Sequence, residues 1–166
     1  MRFTQGSMLL KKIALAGLLV GMLPLQWAHA APEIDGKRFG DWGGTCEKTG
    51  CFLQQVLNQK DKPLMATAIG YPPGKNFPAV LFHLPPTTQM KDGVQLRVDK
   101  NPTIKFNGKC DKQACFAGFA LDEEMMGQLV KGKQALVMFT PAPKQKPVVL
   151  PISLKGLGAG LNAVLK

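Results

Sequence analysis

The chain has 166 residues, is 45% hydrophobic and 7% aromatic, and carries 21 Lys and Arg against 11 Asp and Glu, a formal net charge of +10. That length holds one domain and gives no case for two. The basic residues are scattered rather than blocked, so they read as a soluble basic surface with a weak pull on acidic surfaces.

Arg2, Lys11 and Lys12 precede an apolar run, Ile13 to Leu25, which leads to Ala28-His29-Ala30. A positive segment, an apolar segment and a small-x-small site form the layout of a secretory signal peptide. Residues 1–30 are therefore predicted to be removed near Ala30, with Met8 an alternative start. A run of 13 residues containing Pro24 is too short to span about 30 Å of hydrocarbon, and no cysteine follows it to take a lipid. Residues 31–166 keep 18 basic and 11 acidic residues. They are expected to form a single disulfide-stapled domain, periplasmic or secreted, that does not meet nucleic acid.

Arg38 to Cys46 and Cys51 to Asn58 read as the first hairpin, clipped at its tip. Lys60-Asp61-Lys62-Pro63 is a turn. Leu64 to Ile69 reads as a strand ended by Tyr71-Pro72-Pro73-Gly74, and Ala79 to Leu84 as another ended by Pro85-Pro86. Lys91-Asp92-Gly93 is taken as a hairpin-type turn before Val94 to Val98, where strict alternation puts Val94, Leu96 and Val98 on one face. Thr103 to Asn107 and Cys115 to Ala120 flank the second clip. Asp122 is placed to cap a helix whose first turn holds Glu123 and Glu124 and whose apolar stripe is Met125, Met126, Leu129 and Val130; Lys131-Gly132 ends it. Gln134 to Thr140 and Val148 to Leu154 read as strands. Gly156 to Lys166 has helical spacing of Leu157, Leu161, Val164 and Leu165, against which its glycines count. Eight or nine short strands with turns every 8–12 positions predict an all-β antiparallel sandwich or barrel, with one short helix and a helical C-terminal segment.

Cys46, Cys51, Cys110 and Cys115 are the only cysteines. Behind a signal peptide they read as two disulfides in an oxidising compartment. Three connectivities exist. Cys46–Cys51 and Cys110–Cys115 are favoured, because each pair can face across a tight hairpin at a Cα separation a disulfide tolerates; crossed pairing of Cys46 with Cys110 or Cys115 is the alternative. Loops this short contribute about 2 kcal/mol each, so the clips are expected to fix hairpin register. The echo of Cys-x4-Cys-Phe suggests equivalent hairpins at one end of a sandwich.

Little chemistry is available. Beyond residue 30 there is one serine, Ser153, and one histidine, His83. A Ser-His-acid triad would need both, yet Ser153 lies in a strand without a nucleophile elbow, and His83 reads as a strand-face residue. One histidine with four cysteines in an oxidising compartment does not supply a zinc site. The cysteine spacing is not the Cys-x-x-Cys of redox enzymes. Helix capping accounts for Asp122-Glu123-Glu124 better than a carboxylate pair does. Asp41-Trp42 is a possible recognition pair, but Trp42 reads first as a core aromatic. The glycine runs 43–44 and 156–160 lack the context of a phosphate loop.

Phe39-Gly-Asp41-Trp42, then Cys46 and Cys51 with Gln54 following, form an ordered set with Leu84-Pro85 and Val94-x-Leu96-x-Val98-Asp99. Cys110 and Cys115, the Asp122-led helix and Ser153-Leu154-Lys155-Gly156 complete it. In this set the chain resembles the invasion-associated locus B family of exported proteobacterial proteins. The resemblance implies an immunoglobulin-like β-sandwich and attaches no catalytic residue, so none is assigned here; no cofactor or metal site is assigned either. It implies a role in host-cell interaction, invasion or envelope function through an unknown protein or surface partner, with at most peripheral contact with an anionic membrane surface. The alternative is a periplasmic enzyme or thiol-redox accessory using His83 or the cysteine pairs. Gly43-Gly44 depart from the family pattern, where a bulkier strand residue is usual, which bears on the pairing of the first arm.

Overall fold

The computed structural model describes residues 33–59 and 61–165; the predicted signal peptide lies outside them. Eleven strands form two antiparallel sheets. The larger contains β1 (Arg38–Phe39), β2 (Trp42–Glu47), β3 (Gly50–Gln59), β4 (Lys62–Gly70), β5 (Ala79–Leu84), β9 (Cys115–Ala120) and β8 (Gly108–Cys110), in that spatial order. The smaller runs β11 (Val148–Ser153), β10 (Gln134–Phe139), β6 (Val94–Val98), β7 (Ile104–Phe106). Two helices, α1 (Glu123–Lys131) and α2 (Leu157–Val164), complete the fold. The expected all-β antiparallel sandwich with a short helix and a helical tail is what is found.

The period-2 pattern in the sequence sets which residues face inward. Val94, Leu96 and Val98 on β6, Val80, Phe82 and Leu84 on β5, and Met65 and Ile69 on β4 are all buried. Phe106 of the small sheet lies with its ring 5.5 Å from Phe82 and 4.9 Å from Phe119, both of the large sheet, so aromatic contacts tie the two layers together. Each such side chain taken out of water stabilises the fold by about 1.5–3 kcal/mol. Seven strands cannot be covered by four. α2 fills the remainder, packing against β1 to β4 through buried Leu157, Leu161 and Val164. One continuous apolar core results.

Helix α1 follows its sequence signals closely. Asp122 accepts a 2.7 Å hydrogen bond from the Met125 N–H, and Gly132 closes the C-terminus. Met125 and Leu129 are buried, while Val130, expected in the apolar stripe, is exposed.

Three connections differ from expectation. The first arm is broken at Gly40-Asp41 into β1 and β2, which pair with each other, because the Asp41 N–H leaves the ladder for the Lys155 carbonyl, 3.2 Å away. Lys91-Asp92-Gly93 does not form a hairpin: Met90–Asp92 is a 3-10 turn that carries the chain from the large sheet to the small one. The 103–107 segment is not an arm of the second clip, since β7 pairs with β6 in the small sheet, and the arm is the three-residue β8. Gly43-Gly44 pair normally with Gln54 and Leu53. Gly44 is needed there because a Cβ would collide with the Ile34 carbonyl oxygen, where the N-terminal segment crosses β2.

Candidate functional site

Cys46 pairs with Cys51 and Cys110 with Cys115 in disulfides, each directly opposite its partner across an antiparallel pair, with Cα separations of 4.0 and 3.9 Å. They do not sit at one end of the sandwich. Cys46–Cys51 lies one step beyond the Thr45–Phe52 pair, near the β1 side of the large sheet; Cys110–Cys115 lies one step beyond the Lys109–Phe116 pair, on the β8 side. Register through β4 and β5 puts these pairs at opposite strand ends. The clips therefore hold diagonally opposite corners of one sheet. Two closed disulfides fit an oxidising, extracytoplasmic compartment.

Ser153 and His83 are not brought together. The Ser153 hydroxyl donates to Asp41 Oδ2 at 2.6 Å and accepts from the Lys155 N–H. The buried Gln55 side chain accepts from the Ser153 N–H at 3.0 Å and donates to the Ser153 and Asp41 carbonyls. Trp42, fully buried, donates its indole N–H to the same Ser153 carbonyl at 2.8 Å. Asp41, Trp42, Gln55 and Ser153 thus form a clasp between β2 and β3 of one sheet and the end of β11 of the other. This satisfies the backbone of a strand at its sheet's edge, as burial requires. Asp41 and Trp42 serve the fold here, and Gln55, which the sequence does not single out, is the hub of the clasp.

His83 faces out of the large sheet, its ring stacked 4.9 Å from Phe116. Its surroundings are the main surface feature of the molecule. Directly opposed residues share a face, so one row crosses five strands as Val56, Ala66, His83, Phe116 and Lys109. The next is Gly43, Gln54, Ala68, Leu81 and Gly118; the third is Thr45, Phe52, Gly70, Ala79 and Ala120. Of these fifteen outward positions only Lys109, at one margin, is charged. Val56, Leu81 and Phe116 are 44%, 45% and 39% exposed. On the small sheet's outer face the equivalent rows carry Lys105 and Arg97.

At the third row the face deepens into a cleft of about 290 Å³. Phe52, Gly70, Ala79 and Leu81 form its floor, and Tyr71, Pro72 and Pro73 of the β4–β5 loop and the β2–β3 turn form its walls. Small residues on β4 and β5 make the trough; the larger Phe52, Leu81 and Tyr71 bound it. At the far corner Asp111 shapes the β8–β9 turn. Backbone N–H groups of Gln113 and Ala114 donate to its Oδ1 at 2.7 and 2.9 Å and hold its carboxyl below the usual range. Among the described residues no three His, Cys, Asp or Glu stand close enough to hold a metal ion. No helix among them is long and apolar enough to cross a membrane.

The sequence does contain a sign of this face. β3, β4, β5 and β9 read GCFLQQVLNQ, KPLMATAIG, AVLFHL and CFAGFA, and only Lys62, at the start of β4, is charged. Four strands with no charge beyond Lys62 on either alternating face imply either a sheet covered on both sides or an apolar surface. Sheet order is needed to see that they lie side by side.

A two-sheet β-sandwich with clipped corners, a polar clasp and an uncharged outer sheet face defines a class of extracytoplasmic β proteins. Residues 42–165 match the family profile described as Invasion associated locus B (IalB) protein, and the chain belongs to that family. It is 26% identical over 134 residues to invasion protein B homologues from two strains of Brucella abortus, 2308 and biovar 1 strain 9-941, covering 76% of this chain and 76% of theirs. The crystal structure of invasion associated protein B from Bartonella henselae shares the fold, with a TM-score of 0.67 at 21% identity over 78% of this chain and 94% of that one.

Proposed function

We propose that this protein is an exported, non-enzymatic docking protein, periplasmic or released after cleavage near Ala30, that supports host-cell invasion or envelope function through contacts of its large outer sheet face. The observation that carries this reading is that face: three rows of mostly small and apolar side chains, with Thr45, Gln54 and His83 as the uncharged polar ones and one marginal charge, beside an apolar cleft. Contiguous exposed apolar patches on a soluble domain mark interaction surfaces. The polar groups available for catalysis are committed elsewhere, Ser153 and Asp41 to the clasp and His83 to a stack on Phe116. The names of the Brucella and Bartonella relatives support the invasion side of the reading. A strain lacking the gene is expected to invade host cells less well or to become more sensitive to envelope stress. An unchanged phenotype in both assays contradicts the proposal.

A further inference from the structure

The outer sheet face is mostly small and apolar. Its three rows carry four side chains able to hydrogen bond, Thr45, Gln54, His83 and Lys109, among eleven small or apolar ones. Strand addition is poorly served, since the large sheet ends in β1 of two residues and β8 of three, too short for a partner strand to pair along. Five strands at about 4.8 Å spacing and five residues at about 3.3 Å rise cover roughly 400 Å². That is about half of the 800 Å² each partner buries in a standard interface. A second copy would meet this small face with a like charge, because residues 31–166 hold 18 basic against 11 acidic residues.

The margins are basic at both strand ends. Lys48 lies in the β2–β3 turn and Lys75 in the β4–β5 loop, the two segments that wall the cleft; Lys62, Lys109 and Lys112 lie at the opposite end. None of the five forms an ion pair among the described residues. Glu47 at the cleft, Asp61 beside Lys62 and Asp111, whose backbone hydrogen bonds keep it ionised, lie among them, so the five lysines leave the rim about two charges positive. The cleft-side loop also exposes Tyr71 and Phe77, 40% and 41% accessible, and aromatic rings favour the headgroup level of a bilayer. A mostly apolar area, aromatic tips and lysines at the rim are together complementary to a surface that is apolar beneath and anionic on top.

From this complementarity we infer that the large outer sheet face docks onto an anionic lipid bilayer, with acyl chains against Leu81, Phe116 and the cleft and anionic headgroups against the rim lysines. The inference rests on the docking reading above and names the partner of the same face.

The test uses residues 31–166, which contain every element and the whole core described, and avoids the apolar run at 13–25. Co-sedimentation is measured with phosphatidylcholine vesicles and with vesicles containing phosphatidylglycerol. Binding is expected only to the anionic vesicles, and about 0.5 M salt should weaken it because the Debye length shortens. Leu81→Ser with Phe116→Ser, and separately Lys109→Glu with Lys112→Glu, should each lower the affinity about tenfold or more. Val149→Ser, on the small sheet's outer face, should bind as the unmodified chain does. Thermal midpoints establish that each variant is folded, and the lysine pair, altered only at exposed positions, serves if the apolar pair is not. Equal binding to both vesicle types, binding to neither, or undiminished binding by both variant pairs overturns the inference. So does a concentration-dependent dimer that the Leu81 and Phe116 changes abolish, which would make a second copy the occupant. If vesicles fail yet the same changes impair the protein in cells, only the lipid assignment falls; if they leave cells unaffected, the docking reading falls with it.

Discussion

Gln55 does for β11 what a neighbouring strand would do: its amide accepts from the Ser153 N–H and donates to the Ser153 carbonyl. A glutamine on a strand normally reads as a solvent-facing residue. Its burial here follows from register, because Leu53, Gln55 and Leu57 share the inward face of β3. Gln55→Leu keeps the bulk but leaves the Ser153 N–H without its partner, a loss of about 1–3 kcal/mol that chemical denaturation should register. Ser153→Ala removes only the hydroxyl bonded to Asp41 and is expected to cost less. Asp111 acts through its charge. With its folded pKa depressed, its contribution to the β8–β9 turn is complete above the unfolded value of about 4. As pH falls below that, the unfolded chain takes up the proton first and the contribution is lost through the folded pKa. Hydrogen exchange in β8 and β9 should accelerate relative to the other clipped hairpin over that acid range, and Asp111→Ala should remove the difference.

At the scale of elements, most strands and both helices were legible because their signals are local. Alternation marks β5 and β6, and Asp122 with its two following acids marks α1. The α2 helix forms despite three glycines in or beside it, because packing outweighs propensity: Leu157 and Leu161 are buried, and the absence of a Cβ at Gly160 lets the helix approach Leu53. What was not legible was partnership. The sequence between β5 and β6 looks like a hairpin because a turn sits there, yet β6 pairs with β10 and β7 in the other sheet. The disulfide pairing was readable from spacing, while the placement of the clips at opposite corners required the sheet order. That placement leads to a quantitative expectation. Replacing Cys46 and Cys51 by serine, or Cys110 and Cys115, should each cost about 2 kcal/mol in the chain-entropy picture. The two losses should add within about 0.5 kcal/mol, since sites far apart with no shared partners do not couple. Equilibrium unfolding of the two double variants and the quadruple variant measures this.

For the whole molecule, the asymmetry between the two outer faces is the property that points to function. Both inner faces are spent on one core, and the small sheet's outer face carries Arg97 and Lys105 in its rows. The large sheet's face keeps exposed Val56, Leu81 and Phe116. Ser153 and His83 stand apart: Ser153, Asp41 and Trp42 are held in the clasp, and His83 stacks on Phe116. The candidate site is a collective property of four strands, visible only once they are aligned. Complementation of a gene deletion with Leu81→Glu tests this most directly, with Val149→Glu as its counterpart on the other face and both proteins matched for export and thermal midpoint. Leu81→Glu is expected to fail to restore invasion or envelope resistance while Val149→Glu restores it; full restoration by Leu81→Glu overturns a role for the large sheet's outer face.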